Sequence, residues 1–531
     1  MLNRAIKRFW DDHRGYVIAL TLIAMPMLLG FSLLVIDVGR SANLHTDLQN
    51  AVDAMALTGA RELDGRDDAI TRAEAAIEKL TNTAAFGGGG AGMSLGSYIT
   101  VSYDAGDDAA STVTVKFLKG IPGDGTFAGD DDDPITAAME TTDPNEAGYA
   151  WVTAKDQAMQ TIFPLPVGLN RNTINVSADA VAAYRVSACD VTPIYICNPY
   201  ESPAGNNDAE ATEALHTNFA NGALYGVQIE LHSTSSSSPG PGNFGFLSTY
   251  GNGADVLSEA LATGSPGVCY KQDELETKTG ANAGPVEAGL NTRFGQYSGS
   301  FKNSRNDGRY RPAQNVRAAR KNNSCGDYDP VMAGSTVGDP TEAVPLGYGA
   351  SMTALAGGKI STGNNWNYAT YWNVAQGGTA PSVATVLSNH SSYPGNGASA
   401  PTQPSTYDVY RYELSTPSLI SHASANGETG TPGTGGQCYT GPPLSEYTAD
   451  EYGDRREIFS AIVNCKHEYN EGRLTGHSYT RAVAFARMFL TKPAIKAGSE
   501  RYLSLEMIDI TGSGGRGTLD EFLREEAELV R

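Results

Sequence analysis

Histidine, carboxylate and glycine motifs are the parts of this chain that could do chemistry. His467–Glu471 begins like a zinc-protease helix, but a glutamate stands where the second histidine must be. Gly357–Ile360 lacks the upstream glycine and the hydroxyl of a phosphate-binding loop, and Gly240–Gly245 follows serine and proline instead of a strand. No Gly-x-Ser-x-Gly elbow occurs. We therefore predict a non-catalytic protein without cofactor, metal or small-molecule substrate.

Acidic residues dominate the charge of the chain. The run Asp130–Asp133 lacks the glycine and glutamate positions of an EF-hand, so we interpret it as a solvated loop, with weak calcium binding as the alternative. The chain has 59 acidic and 38 basic residues, for a net charge of -21. Because such a surface repels phosphate, we expect no nucleic-acid partner.

Six cysteines could form disulfides. They are Cys189, Cys197, Cys269, Cys325, Cys438 and Cys465. No pair has C-x-x-C spacing, which disfavours zinc and thioredoxin-like redox sites. In an oxidising compartment we expect three disulfides, for which about 15 pairings exist. The simplest pairing joins neighbours, as Cys189–Cys197, Cys269–Cys325 and Cys438–Cys465. Buried free thiols in a cytosolic protein are the alternative.

An apolar segment near the N-terminus predicts a membrane helix. Residues 15–36 contain no charged side chain, and at 1.5 Å per residue they span about 33 Å, the thickness of the hydrocarbon core. A cleaved signal peptide would have a shorter apolar region and a small-residue cleavage site. Basic residues precede the segment, so the positive-inside rule puts the N-terminus in the cytoplasm. They are Arg4, Lys7, Arg8 and Arg14. We predict a single-pass protein of a Gram-negative inner membrane with a periplasmic ectodomain.

Helical periodicity continues beyond the apolar segment. An apolar stripe recurs at spacings of three and four residues, and polar residues occupy the other face. The stripe consists of Leu44, Leu48, Ala51, Val52 and Met55. The membrane helix is therefore predicted to continue to about residue 63. The stripe either packs on the chain's own ectodomain or docks onto helices of partner proteins.

Three short motifs carry a family resemblance. Arg14-Gly15 opens the apolar segment, residues 37–40 (Asp-Val-Gly-Arg) close it, and residues 48–54 (Leu-Gln-Asn-Ala-Val-Asp-Ala) follow. Together they resemble TadE/TadG-like proteins of the tight-adherence (Flp-type pilus) system. Residues 149–184 and short fragments further along resemble the ectodomains of TadG-related chains. The resemblance implies partners among the pilus assembly proteins of that system.

Two features depart from that family. Its pilins resemble one another in a cleavage-site glycine followed five residues later by glutamate, whereas Leu20 stands five residues after Gly15. This disfavours cleavage by a prepilin peptidase. Many TadG-like proteins also carry a von Willebrand A domain with an Asp-x-Ser-x-Ser metal site. The corresponding segment here is Asp190–Ile194, and isoleucine cannot bind a hard cation. A degenerate von Willebrand A-like unit is the expectation that follows.

The fold class predicted is α+β, with the membrane helix continuing as an amphipathic helix before a mixed, β-rich periplasmic ectodomain. The regions are a basic cytoplasmic tail (1–14), a transmembrane helix (15–38), an amphipathic helix region (39–85), a β-rich TadG-like domain (86–187) and a disulfide-containing α+β ectodomain with long Gly/Asn/Ser-rich loops (188–531). Alternating or continuous apolar runs predict strands at 97–103, 111–118, 226–232, 457–465, 482–490 and 502–510. Helices are predicted at 254–263 and 519–529, and a short amphipathic segment between two strands in 149–186.

Three functions are consistent with these features. The first is a membrane-anchored structural or assembly component of a tight-adherence pilus. The second is a cell-envelope adhesin or binding protein, favoured by tyrosines clustered among Asn and Gly between about 343 and 412. The third is a periplasmic hydrolase whose carboxylates meet only in the fold.

Overall fold

The computed structural model divides into two compact units. Unit 1 contains Met1–Tyr184 and Glu525–Arg531, and unit 2 contains Arg185–Arg524. The structure describes residues 14–85, 98–123, 127, 130, 133–144, 146–160, 173–189, 191–224, 227–233, 239–251, 253–278, 283–316, 368–376, 378–388, 403–420, 439–447, 453–475, 477–491, 493–497, 500–512, 514–519 and 522–531.

Two helices open unit 1. Helix α1 (Arg14–Ala60) is one continuous element of 47 residues with Pro26 inside it. It ends three residues before the predicted boundary, and α2 (Ala69–Glu78) follows after a turn. Arg72 on α2 holds this turn through ion pairs with Glu62 (2.8 Å) and Asp68 (3.0 Å). The region 39–85 is therefore a helix, a turn and a second helix leading into a strand.

Antiparallel strands complete unit 1. They are β1 (Asn82–Ala85), β2 (Tyr98–Val101), β3 (Val113–Leu118), β4 (Tyr149–Ala154), β5 (Gln157–Gln160), β6 (Thr173–Val176) and β7 (Asp179–Cys189). β1 pairs with β2, β5 with β6, and β4 lies between β3 and β7. The strands predicted at 97–103 and 111–118 are confirmed with slightly shorter bounds. Residues 161–172, which include the predicted amphipathic segment, lie outside the described residues.

Small side chains line the sheet face that packs against α1. The core of unit 1 contains the buried face of α1 together with Ala150 and Val152 of β4 and Ala180 and Ala182 of β7. Because every second residue of a strand points to the same face, these alanines and valines form one flat surface. A helix can approach such a surface closely.

Unit 2 is an α+β unit. Its elements in chain order are β8 (Ile194–Cys197), α3 (Asp208–Ala220), β9 (Gln228–Ser233), β10 (Asn243–Phe246), α4 (Ala254–Thr263), β11 (Cys269–Lys271), β12 (Leu275–Glu276), α5 (Ala283–Thr292), α6 (Tyr368–Ala375), α7 (Val383–Leu387), α8 (Thr406–Ser415), β13 (Glu457–Val463), α9 (Cys465–Asn470), β14 (Tyr479–Thr480), β15 (Ala484–Leu490), β16 (Ile495–Ala497) and β17 (Glu500–Ile510). The predicted helix at 254–263 and the strands near 226–232, 457–465, 482–490 and 502–510 are confirmed.

Seven strands of unit 2 form a mixed sheet in the order β15-β13-β8-β10-β9-β17-β16. β13 and β8 are parallel, as are β9 and β10, and the other pairs are antiparallel. β15 also pairs with β17, which closes six strands into a ring. All seven residues of β13 are buried, as expected for a central strand covered on both faces. The von Willebrand A-like unit stays a prediction.

Two disulfides lie in unit 2, and they correct the neighbour pairing. Cys189 is bonded to Cys269, and Cys197 to Cys465. The antiparallel register of β7 and β11 places Cys189 directly opposite Cys269. β8 and β13 run in parallel, so Cys197 and Cys465 meet where these strands end. Cys325 and Cys438 lie outside the described residues.

The C-terminal segment is a strand, so the helix predicted at 519–529 is wrong. β18 (Leu523–Leu529) pairs with β7. In unit 1, Val181 and Arg531 exchange backbone hydrogen bonds, with N–O distances of 2.8 Å and 3.3 Å, and Ala527 packs at the edge of the core. Glutamate, leucine and arginine favour helices only by tenths of a kcal/mol, and strand pairing overrides such a preference.

A buried carboxylate of β17 makes the stability of unit 2 depend on pH. Glu506 is 1 % exposed and accepts hydrogen bonds from the backbone N–H groups of Thr406 (3.0 Å) and Tyr407 (3.1 Å) at the start of α8. Burial outweighs these bonds and raises the pKa of Glu506 to about 7. The folded chain then binds a proton that the unfolded chain releases near its ordinary pKa of about 4.3.

We predict that the contribution of Glu506 to stability falls as pH rises. It is complete below about pH 4.3 and is lost by about pH 7, a change of about 4 kcal/mol. Glu506→Gln cannot titrate, so it should flatten this part of the pH profile. The check is the difference between wild-type and variant thermal midpoints at several pH values. A constant difference from pH 4 to pH 8 would refute the assignment.

Candidate membrane anchor

The first part of α1 exposes a continuous apolar surface. Its large apolar side chains are 48–75 % exposed, although most such residues in a folded chain are covered. They are Leu20, Leu22, Ile23, Met25, Met27, Leu28, Leu29, Phe31, Val35, Ile36 and Val38. The apolar window has a mean hydropathy of 2.1 and is only 6 % buried, so it is not the core helix of a soluble unit. The helix is long and apolar enough to cross a membrane.

An ion pair marks the point where this surface ends. The Nη1 of Arg40 donates to the Oδ1 of Asp37 at 3.1 Å, one helical turn apart. The two residues are only 8 % and 3 % exposed, so each charge is desolvated beside the other. The sequence motif at residues 37–40 contains both residues, but the ion pair between Asp37 and Arg40 was not predicted. Opposite charges three residues apart, in phase with the apolar stripe, are the signal that could have found it.

The stripe beyond this pair is buried within unit 1. Leu44, Val52 and Met55 are 0 % exposed and Leu48 is 1 % exposed, all in one core with the sheet face of β4 and β7. This corrects the interpretation of these residues as a surface for partner helices. The alternative is confirmed, because the stripe packs on the chain's own ectodomain.

The TadE/G-like segment

A comparison with protein families finds a match that includes this helix. Residues 15–62 match the family described as Flp pilus-assembly TadE/G-like. The chain thus carries a TadE/G-like segment. The match spans less than a tenth of the chain and ends two residues after α1. No curated protein and no solved structure matches. At the family level, the segment supports a role related to Flp pilus assembly.

Polar contacts fix the rotation of the TadE/G-like segment on the sheet. Gln49 donates through its Nε2 to the Oδ1 of Asp53 at 2.7 Å and to the backbone oxygen of Asp179 at 2.9 Å. Asp179 is the first residue of β7. One side chain therefore joins α1 to a central strand, next to the apolar stripe.

We predict that breaking the Asp37–Arg40 pair destabilises unit 1. Arg40→Leu leaves a buried carboxylate without its charged partner, at a cost of about 2 kcal/mol. The double variant Asp37→Leu/Arg40→Leu removes both charges and should recover most of that loss. Thermal midpoints of the detergent-solubilised protein provide the check. Equal losses in the single and double variants would mean that the pair has no role of its own.

The zinc-like motif at 467–471 is structural. Glu468 is 2 % exposed and accepts from the Nε and Nη2 of Arg473 at 2.7 Å and 2.8 Å, and from the Oγ1 of Thr480 at 2.9 Å. Although burial opposes ionisation, the hydrogen bonds from Arg473 and the nearby Arg481 hold the pKa of Glu468 below its usual value. The carboxylate of Glu468 is therefore already paired with arginine side chains.

Other candidate ligands are dispersed or buried. Within the part of the chain that the structure describes, no three His, Cys, Asp or Glu side chains come together as a metal site. Thr192 and Ile194 of the degenerate adhesion motif are 2 % and 0 % exposed. Asp190 lies outside the described residues, as do two of the four aspartates at 130–133.

Tyrosines of the Tyr/Asn-rich region form a core where the structure describes them. Tyr368, Tyr371, Tyr407 and Tyr410 are 0–7 % exposed and pack with Phe489 of β15. These four rings therefore stabilise unit 2 and do not form the exposed binding surface considered for an adhesin.

Proposed function

We propose that the protein is a non-catalytic, membrane-anchored structural or assembly component of an Flp-type pilus. One observation carries this proposal. The TadE/G-like match coincides with a helix whose first part exposes apolar side chains over a membrane's thickness and whose second part is built into the ectodomain core. Such a helix transmits the position of the anchor directly to the folded unit.

The orientation we propose places the N-terminus in the cytoplasm and the ectodomain in the periplasm, with the helix in the inner membrane. Four basic residues precede the apolar segment, which favours this direction. The two disulfides of unit 2 support an oxidising compartment for the ectodomain. The helix continues beyond the apolar part without a break, which supports a retained anchor over a cleaved signal.

The partners we propose are membrane proteins of the same assembly system. The stripe from Leu44 to Met55 is occupied by unit 1, so it is not the surface for them. The exposed apolar part of α1 lies in the lipid under this proposal and is available to other membrane helices, which associate there by close packing.

Deletion of the chain tests the proposal. We expect loss of surface fibres and of adherence, with normal growth, and recovery of both by the full-length protein. A matched variant replaces residues 15–36 with an unrelated membrane helix of equal length. Recovery by that variant would make the segment a simple anchor, whereas failure would indicate specific helix partners. Unchanged fibres in the deletion strain would refute the proposed function.

A further inference from the structure

Three polar side chains are buried on one face of two neighbouring strands in unit 2. In the antiparallel register of β9 and β17, Gln228 lies directly opposite Glu506. Ser504 precedes Glu506 by two residues on β17, so it lies on the same face of the sheet. Gln228 is 8 % exposed, and Ser504 and Glu506 are each 1 % exposed. The three side chains therefore share one part of the sheet face that is shielded from solvent.

Two of these side chains make no hydrogen bond. The Oε1 and Nε2 atoms of Gln228 are both buried without a partner, and so is the Oγ of Ser504. Leaving a buried polar group without a hydrogen bond costs stability, so folded proteins satisfy nearly all such groups with protein atoms or ordered water. Unsatisfied atoms from two adjacent strands on the same buried face therefore indicate a bound molecule between them.

The strand register sets the gap that this molecule has to bridge. Gln228 and Ser504 are diagonal neighbours on antiparallel strands, and such residues are typically about 7–8 Å apart, within reach of a long side chain. The glutamine side chain covers most of that distance, and the serine side chain is short. The remaining gap between the amide and the hydroxyl suits one water molecule that bonds to both.

The carboxyl group of Glu506 supplies the third contact. Its oxygens accept from the backbone N–H groups of Thr406 and Tyr407 and from the hydroxyl of Thr406. Because burial raises the pKa of Glu506 to about 7, the carboxyl carries a proton in mildly acidic solution. The N–H groups of α8 can only donate, so they cannot accept that proton. An acceptor is therefore needed on the side of Gln228 and Ser504.

The charged groups around Glu506 favour a neutral ligand. Asp408 on α8 is acidic, and its charge opposes ionisation of Glu506. β9 contributes a further acidic residue, Glu230, to the sheet. Arg487 of β15 is paired with Glu457 of β13 at 2.9 Å. An anion at this place would therefore be repelled by carboxylates.

We propose that one ordered water molecule is bound between Gln228, Ser504 and Glu506. It accepts the proton of the neutral carboxyl and donates to the amide oxygen of Gln228 and the hydroxyl oxygen of Ser504. Three partners of this kind are typical of a buried water molecule. A cation could not accept the proton, whereas water both donates and accepts. The bound water thus connects β9 and β17 to the carboxyl group that holds the start of α8.

A crystal structure of the full-length protein in detergent, at a resolution that shows ordered water, tests the site directly. We expect a water oxygen at about 2.5–3.2 Å from the Oγ of Ser504, the amide of Gln228 and a carboxyl oxygen of Glu506. A direct hydrogen bond between the amide of Gln228 and the carboxyl of Glu506, with no water oxygen at Ser504, would overturn the proposal.

The bound water also determines how two variants change the titration of Glu506. Gln228→Leu removes a partner of the water and leaves an apolar side chain, so the ionised carboxylate loses solvation and the pKa of Glu506 should rise by about one pH unit. Ser504→Ala should change it in the same direction by less. Because Ser504 is two residues away on the same strand, it acts on the carboxyl only through the water. Infrared spectra over a pH series report the pKa as the pH at which the protonated-carboxyl band that Glu506→Gln removes is lost.

Gln296→Leu is the matched control for these variants. Gln296 is also buried, with an Nε2 that makes no hydrogen bond, but it follows α5 and belongs to neither β9 nor β17. This variant should leave the titration of Glu506 unchanged. Should Gln228→Leu fail to fold, Ser504→Ala and the wild-type crystal structure decide. An unchanged titration in Ser504→Ala, or an equal change in Gln296→Leu, would overturn the proposal.

Discussion

We expect Leu48→Asp to prevent unit 1 from folding. Leu48 is 1 % exposed in the middle of the α1 stripe, where Leu44 and Val52 flank it in the same core. Losing a buried leucine costs about 2–5 kcal/mol, and an unpaired buried carboxylate costs several more. The sum is comparable with the whole stability of an ordinary domain. Limited proteolysis of the detergent-solubilised protein should show rapid cleavage between residues 61 and 184.

The matched control for this variant is Asn50→Asp. Asn50 is exposed on the other face of the same helix. The substitution therefore introduces the same negative charge two residues away from position 48, but that charge stays in contact with solvent. We expect wild-type resistance to protease. If Leu48→Asp were equally resistant, the stripe would not be part of the unit 1 core, and its assignment to partner helices would return.

Removal of the Cys197–Cys465 disulfide is the second large effect. This bond joins residues 268 positions apart, and both cysteines are 0–1 % exposed. Closing so long a loop restricts the unfolded chain, which corresponds to about 5.6 kcal/mol of stability by the loop-entropy relation. Cys197→Ser/Cys465→Ser should lower the thermal midpoint of unit 2 strongly, and reduction of the wild-type protein, which breaks both disulfides, should lower it further.

The second disulfide provides an internal comparison. Cys189 and Cys269 are 80 positions apart, so the same relation assigns their bond about 1 kcal/mol less. The double serine variant at these positions should therefore have the smaller shift. Recovery of a peptide that joins Cys189 to Cys197 after non-reducing digestion would contradict the pairing itself.

Local patterns predicted the elements whose side chains repeat at a fixed period. The apolar run from Gly15 to Ile36 and the stripe after it define α1 to within three residues. Strands β13 and β15 are mostly apolar along their length, and this composition predicted them for the same reason. Period and length are properties of the segment itself, so no tertiary information was needed.

Features that depend on register could not be predicted. Cys189 meets Cys269 only because β11 pairs with β7, and Cys197 meets Cys465 only because β8 and β13 are parallel. The last strand has a helix-like composition and is extended because β7 offers a partner. In each case the deciding contact lies far away in the sequence.

The candidate sites also differ in how much of each could be predicted from the sequence. The membrane anchor is contiguous, so its residues were visible as one run. The stripe was visible too, but amphipathic spacing alone does not tell whether its partner is the chain's own sheet or another protein.

Protease treatment of spheroplasts that carry the protein with an N-terminal epitope tag tests the central claim most directly. We expect the ectodomain to be digested and a short tagged fragment containing the apolar part of α1 to stay in the membrane. Two results would contradict it. A mature chain without the tag would mean that the apolar segment is removed, and a full-length tagged chain protected from protease would mean that the ectodomain is in the cytoplasm.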